Sequence, residues 1–402
     1  MITTTEATQA IIAAMPTFAT ECVPLAQAVG RILQQAVAAE RDQPPFDRVM
    51  MDGIAVRHDS LASGNRRFTI LGTQHAGDPP QTLSGADLAI EIMTGAVLPK
   101  DSDCVIPVER IAVRDGVATV EDDYEAERLQ FVHRQGSDYP AGHEVLGAGR
   151  MITPMDIAVI ASCGLDSVQA SSQPVVRVIS TGDELVPAGM PIEAHQVRLS
   201  NGPALVAMLH QQGFGQTTDE HLVDEPAPLR RRLAEILDES SVLILSGGVS
   251  MGKADYVPQV LSELGVKLVF HKISQRPGKP MWFGIGAEKQ AVFALPGNPV
   301  SSLVCCRQYV LPALFLASGR ASPPAETAVL AKDVTFNPEL TCFLPVRIMS
   351  TGDGHVLATP VPTNTSGDFA SLSATDGYVE LALKQNEFPA GTAVPLHRWI
   401  SP

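Results

Sequence analysis

At about 150 residues per domain, a chain of 402 residues predicts two to three domains rather than a single core. Hydrophobic residues make up 45% and charged residues 18%, ordinary globular usage that excludes a long disordered or fibrous protein. The 29 Lys+Arg against 44 Asp+Glu give a formal net charge of −15. That balance argues against a protein that grips nucleic-acid phosphates, although a local basic pocket in an acidic protein can still take a small anion.

In chain order, TTTEATQAIIAAM and then VPLAQAVGRILQQAV carry a helical pattern, with Leu25, Val29, Ile32 and Leu33 spaced as one helix face. The break at Asp42-Gln43-Pro44-Pro45 ends it. Residues 44–138 shift to short apolar runs separated by Gly, Asp and Pro, which predicts a β-rich inserted domain. Residues 150–170 read as one helix with Thr153 as N-cap, Pro154 at the first position and Gly164 as the stop. Residues 1–43 and 139–170 thus form one discontinuous helical and extended domain. Residues 171–322 alternate strand and helix (VVRVIS, GPALVAMLHQQG, SVLILSGGVS, AVFALPG), the pattern of βαβ units around a mostly parallel sheet. Residues 323–402 return to short strands and predict a small C-terminal β-barrel or sandwich.

Six scattered cysteines (Cys22, Cys104, Cys163, Cys305, Cys306, Cys342) form no C-x-x-C pair and no zinc-site spacing, and read as small buried side chains in a reducing compartment. The N-terminal stretch lacks a basic n-region, and no run is expected to supply the ~18 apolar residues of a membrane span. The expectation is a cytoplasmic protein.

Parallel sheets bind ligands at the carboxyl ends of their strands, and three junctions there are informative. VVRVIS ends in Thr181-Gly182-Asp183-Glu184. SVLILS, closing on Ser246, runs into Gly247-Gly248-Val249-Ser250-Met251-Gly252, where backbone N–H groups can approach an anion. VFAL runs into Pro296-Gly297-Asn298-Pro299 and then Ser301-Ser302 at the start of an apolar helix. Each junction alone reads equally as a tight turn or a solvated loop edge; together they describe a phosphate- or oxyanion-binding rim. Lys272, Arg276 and Lys279 in HKISQRPGKP offer cations. Asp52, Asp138, Asp224 and Asp255 offer loop carboxylates of the kind that hold a hard divalent cation beside a phosphate, each of which alone also reads as a turn or cap residue.

Along nearly the whole chain these motifs resemble the molybdopterin molybdenumtransferases, the MoeA proteins and the E domain of gephyrin. The matching stretches include PPFDRVMMDGIAV, IMTGAVLPKDSDCVIPVE, HRQGSDYPAGHEVL, STGDEL, SNGPAL, LILSGGVSMGKADY, RPGKP, LPGNPVSSL and TSGDFASLSATDGYVEL. The resemblance implies an α/β plus β fold: a multidomain elongated chain with a MogA-like three-layer α/β domain, the inserted β-rich domain, a helical/extended domain and a C-terminal β-barrel. It implies a homodimer whose cleft lies between the α/β domain of one subunit and the β-rich domain of the other. It also implies a reaction in which adenylylated molybdopterin and molybdate give Mo-molybdopterin with Mg2+-dependent release of AMP. By resemblance, Asp52, Asp138, Glu184, Asp224 and Asp255 are the functional acids, with Glu184, Asp224 and Asp255 for the metal. Thr94, Gly95, Ser246, Gly247, Gly248, Ser250, Lys272, Arg276, Lys279, Pro296, Asn298, Pro299 and Ser301 line the cofactor and anion sites. A separate molybdopterin adenylyltransferase supplies the substrate, and molybdoenzymes or their chaperones receive the product.

The chain departs from the family pattern at Arg48 (usually Asn), Ile54 (Tyr), Glu91 (Arg), Leu199 (Asp), Lys253 (an acid) and Arg276 (Lys). Leu199 removes a carboxylate and Lys253 places a cation beside Asp255, which predicts weaker metal binding there. The alternative reading is a non-catalytic molybdopterin or molybdenum-cofactor binding or scaffold paralogue. A nucleotide phosphohydrolase is a third, because similar α/β domains occur in such proteins.

Overall fold

Two strands, Val242–Ser246 and Ala291–Leu295, are buried at every position. Such unbroken apolar runs arise where a parallel sheet is covered on both faces. They lie at the centre of a six-stranded sheet in the order Thr217–Leu222, Val176–Thr181, Val242–Ser246, Ala291–Leu295, Trp282–Ile285, Lys267–His271. The first four strands are parallel, and Trp282–Ile285 runs antiparallel to both of its neighbours, so that Lys267–His271 points the same way as the first four. The molecule is described by a computed structural model over residues 1–248, 256–337, 339–362, 365 and 367–400.

Side chains alternate between the two faces of each strand. Val242, Ile244 and Phe293 join Leu205 and Leu209 of helix Asn201–Gln211 and Val304 and Leu314 from Pro299–Ala317 in one core. Leu243, Leu245 and Val292 join Leu229, Leu233 and Ile236 of helix Pro226–Glu239 and Val260 of helix Val257–Glu263 in the other. The result is a three-layer α/β unit. Helix Thr4–Ala14 adds Ala7 and Ile11 to the first core. It starts in a capping box, with Thr3 Oγ1 accepting from the Glu6 amide and the Glu6 carboxylate accepting from the Thr3 amide.

The helical stretch Pro299–Ala317, 19 residues with mean hydropathy 1.5, is long and apolar enough to cross a membrane, contrary to the expectation that no run would be. Its most apolar window is 72% buried inside the unit, so the sheet accounts for the apolarity. Beyond it, Thr341–Ser350, Val356–Pro360, Glu326–Leu330, Ala393–Arg398 and Gly377–Leu381 pair in a ring that returns to Thr341–Ser350, a closed five-stranded barrel around Val346, Ala358, Val379 and Leu396. Gln275–Arg276 pairs onto its first strand.

Met1–Gln34, Ala148–Thr153 and Ser167–Pro402 form one compact unit; Gln35–Gly147 and Pro154–Asp166 form a second. The second contains a six-stranded sheet ordered Cys104–Pro107, Gly53–Val56, Leu88–Ile92, Arg67–Gln74, Val117–Val120, Ile111–Arg114. One core forms around Ile54, Phe68 and Ile106 and another around Ala55, Ile90 and Val105.

Two helical readings are corrected. In VPLAQAVGRILQQAV only Leu25–Gln27 forms a short 3-10 turn. Gly30 at φ +81 breaks the pattern, and Leu33 is buried because its amide donates to the Arg150 carbonyl and the strand edge at Ala170 covers it. The span 150–170 is not one helix: the helix is Pro154–Ser162, ended by Gly164 at φ +82, and Ser167–Ser171 is a strand paired with Thr20–Pro24.

Gly53 of the MMDG motif is fixed by space: a Cβ there would lie 2.0 Å from the Ile106 carbonyl oxygen. Gly53→Ala forces strand Gly53–Val56 away from the edge strand Cys104–Pro107 and is expected to cost about 1–3 kcal/mol, read as a lowered denaturation midpoint in urea.

Candidate functional site

The first carboxyl-end junction begins where strand Val176–Thr181 ends. Ser180 and Thr181 are nearly buried, and the chain turns through Gly182 to place Glu184 at the rim. Ser246 closes the neighbouring strand and leads into Gly247 (φ +99) and Gly248 (φ +64). A Cβ on Gly247 would meet the Thr181 carbonyl oxygen at 2.7 Å, and one on Gly248 would meet Val257 Cγ2 at 2.7 Å and Thr181 Oγ1 at 2.8 Å. Only glycine lets the two loops pack this closely. Pro296, Gly297, Asn298 and Pro299 follow the third strand. All three junctions line one cavity of about 810 Å³, together with Asn201, Asp224 and Pro280.

Asn201, at the first position of its helix, ties these loops together. Its Nδ2 donates to Ser246 Oγ at 2.8 Å and to the Gly297 carbonyl at 2.8 Å. Ser246 Oγ also lies 3.4 Å from Ser302 Oγ. Three side-chain oxygens on the cavity lining, Ser180 Oγ, Thr181 Oγ1 and Asn201 Oδ1, are buried with no hydrogen-bond partner among the described residues. Buried polar atoms without partners are costly, so three on one wall point to a ligand that completes them.

Of the expected acids, Glu184 and Asp224 line this cavity. The Asp224 amide donates to Asp183 Oδ1 at 3.0 Å, and His221 Nε2 lies 2.8 Å from the Gly182 carbonyl oxygen to which it donates, so both acidic loops are braced. Among the described residues no group of three or more His, Cys, Asp and Glu forms a metal site. Two carboxylates beside a phosphate-bearing ligand are nevertheless the donor set a magnesium ion uses, because it keeps several waters. Asp255, Ser250 and Lys253 lie outside the described residues.

The anticipated cations are placed elsewhere: Lys272, Arg276 and Lys279 are not among the residues lining the cavity. Lys272 sits in a turn at φ +70 with its amide donating to the Met281 carbonyl. Arg276 is paired onto the barrel strand with its guanidinium 5.9 Å from the Phe336 ring centroid, and Lys279 is exposed. Arg198 lines the cavity, but its Nη1 donates to the Pro187 and Met190 carbonyls at 3.0 and 2.7 Å. Leu199 contributes an apolar wall. Ser301 is buried and outside the lining; its neighbour Ser302 makes the contact with Ser246. Sequence reading overlooked Ser180 and Asn201, for which the only local sign was a polar residue at a strand end or helix start; Ser302 was named only as part of the helix start, with Ser301 given the anion role.

In the second unit, Asp52 is exposed and its Oδ1 accepts from both the Thr94 amide (2.6 Å) and Thr94 Oγ1 (2.8 Å). Thr94, expected to donate to an anion, spends both donors on this carboxylate. Gly95 at φ +86 turns the chain, and its amide donates to the Val49 carbonyl. Asp138 Oδ1 lies 2.9 Å from His133 Nε2, and Arg48 Nη2 lies 3.0 Å from His133 Nδ1. Glu91 Oε2 accepts from Thr73 Oγ1 at 2.6 Å.

The Thr94 amide and then its hydroxyl hold the Asp52 carboxyl below the usual carboxylate range. A carboxyl lowered by folding adds stability above its unfolded value, and that stability is lost as pH falls through the folded one. Thr94→Val removes the hydroxyl and is expected to move the Asp52 titration partway back up, with the amide bond retained, as read by carboxyl 13C NMR.

Residues 2–164 match the MoeA N-terminal region (domain I and II), residues 177–315 a "Probable molybdopterin binding domain", and residues 327–399 the MoeA C-terminal region (domain IV). The chain is 38% identical over 400 residues to a protein named molybdopterin molybdenumtransferase from Synechocystis sp., covering 99% of this chain and 100% of that protein. It is 33% identical to one of the same name from Synechococcus elongatus, over 95% of each chain. A crystal structure of a molybdopterin biosynthesis MoeA protein from Pyrococcus horikosii superposes with a TM-score of 0.83 at 30% identity, covering 99% of both chains. The chain belongs to the molybdopterin molybdenumtransferase family.

Proposed function

We propose that this protein acts in molybdenum cofactor biosynthesis, taking molybdate and adenylylated molybdopterin as substrates and releasing Mo-molybdopterin and AMP. The observation that carries this reading is the cavity at the carboxyl ends of the parallel strands, where Glu184 and Asp224 share the lining with Ser180, Thr181 and Asn201, whose side-chain oxygens have no hydrogen-bond partner among the described residues. Similarity to proteins of that name along nearly the full chain supports it and does not favour the non-catalytic scaffold.

Splitting a phosphoric anhydride spreads negative charge over phosphoryl oxygens. The start of helix Asn201–Gln211 offers backbone N–H groups to such charge, whereas the Gly247 amide is already donated to the Leu295 carbonyl. Ser180 and Thr181 can donate through their hydroxyls, whereas Asn201 Oδ1 can only accept, so the wall reads a ligand bearing both acceptor and donor groups. Glu184 and Asp224 would hold Mg2+, which when bound supplies charge neutralisation at the phosphates. Asp52 and Asp138, each held by one neighbour, are the remaining described acids. Homodimer formation, a cytoplasmic location, receipt of substrate from a separate molybdopterin adenylyltransferase and delivery to molybdoenzymes or their chaperones belong to the same proposal.

Glu184→Gln and Asp224→Asn are each expected to lower AMP release from adenylylated molybdopterin by on the order of 100-fold, with removal of divalent cations by chelation giving a comparable loss. The wild-type gene is expected to restore nitrate reductase activity to a cell lacking its own molybdenumtransferase. Soluble wild-type protein that neither releases AMP nor rescues the cell overturns the reading.

A further inference from the structure

Arg48 and His133 lie directly opposite each other across the short antiparallel ladder of Arg48–Val49 with Val132–His133. Arg48 Nη2 is 3.0 Å from His133 Nδ1. A guanidinium has donors only, so Nδ1 is the acceptor and the ring proton must sit on Nε2. That nitrogen is 2.9 Å from Asp138 Oδ1, to which it donates. The ladder register therefore selects one tautomer of one histidine and aims its only N–H at a carboxylate.

The backbone around Asp138 is already pinned. The Gln135 amide donates to Asp47 Oδ1 at 2.8 Å, the Gly136 amide to the Pro44 carbonyl at 3.0 Å, and the Asp138 amide to the Gln43 carbonyl at 2.9 Å. Gly136 at φ +71 makes the turn that brings residue 138 back beneath residue 133. What stays undetermined by the backbone is the direction of the exposed Asp138 carboxylate. Among the described residues it has a single partner, His133, whose only charged neighbours within bonding distance are Asp138 and Arg48.

We propose that Arg48 and His133 are positioning residues for Asp138, acting in series. Arg48 fixes the imidazole tautomer, His133 occupies Oδ1, and Oδ2 is left as the oxygen presented to the reaction. The inference rests on the reading of Asp138 as an acid of the transferase reaction. It also gives a physical role to Arg48, one of the positions at which this chain departs from the family pattern.

The test uses the full-length protein, with 15N spectroscopy of the histidine side chains (His133 assigned by its loss in His133→Gln) and steady-state AMP release from adenylylated molybdopterin. The expected spectrum shows His133 as the neutral Nε2–H tautomer, with Nδ1 losing its hydrogen-bond shift in Arg48→Met. His133→Leu is expected to lower kcat by on the order of 10- to 100-fold while KM stays within about twofold. His133→Gln, whose amide can still donate to Asp138, is expected to retain most of the rate. Because the residues act in series, Arg48→Met/His133→Leu should be no slower than His133→Leu alone. An Nδ1–H tautomer in the wild type, a fully active His133→Leu protein, or losses that multiply in the double variant each overturn the proposal. An Asp138→Asn protein as active as the wild type overturns the reading of Asp138 itself, and the positioning role with it.

Discussion

The two hydrogen bonds donated by Asn201 Nδ2, to Ser246 Oγ and to the Gly297 carbonyl, hold the candidate site together. They join a helix start to the loops that follow two central strands, three segments that no local preference would bring into register. Their worth depends on the sheet beneath: with Val242–Ser246 and Ala291–Leu295 buried on both faces, polar groups can emerge only where the strands end. A hydrogen-bonded clamp at that boundary joins a helix start and two turns into one cavity wall, on which Asn201 Oδ1, Ser180 Oγ and Thr181 Oγ1 are buried without a hydrogen-bond partner among the described residues.

The second unit holds its acids by a different device. Asp52 and Asp138 are both exposed, so burial cannot orient them. Each instead borrows order from a single neighbour whose own position is set by backbone pairing. Thr94 offers amide and hydroxyl to Asp52 beside the turn at Gly95, and His133 offers one N–H to Asp138 from a ladder position opposite Arg48. Exposed carboxylates held in this way keep one oxygen engaged and the other available. Gly53, next to Asp52, is required for a separate reason, because the Ile106 carbonyl occupies the place of its side chain.

Much of the architecture was legible because it depends on periodicity. Alternating strand and helix between residues 174 and 320 announced the parallel sheet, and the short strands after 323 announced a barrel or sandwich, which the pairing closes into a barrel. The failures came where tertiary pairing overrode periodicity. VPLAQAVGRILQQAV has a helical spacing, yet Gly30 turns the chain out of the helix and Leu33 finds its cover in strand 167–171. Within the site, the glycine and proline loops were readable, because few residue types permit such turns. Thr94 was recognised as important but assigned the wrong partner, since a sequence cannot show that its two donors already meet a carboxylate 42 positions earlier.

By itself the sequence determined which segments could be buried, where the chain had to turn, and which residue types, in which order, could do phosphate and oxyanion chemistry. Those properties are local, set by side-chain polarity, by spacing and by the conformational limits of glycine and proline. Only the tertiary structure decided which of those groups meet: that Glu184 and Asp224 share a cavity with Ser180 and Asn201, that Lys272, Arg276 and Lys279 lie outside its lining, and that Arg48 governs a histidine 85 residues away. Such pairings come from sheet order and ladder register, which arise from the packing of segments far apart in the chain and leave no mark in any one of them.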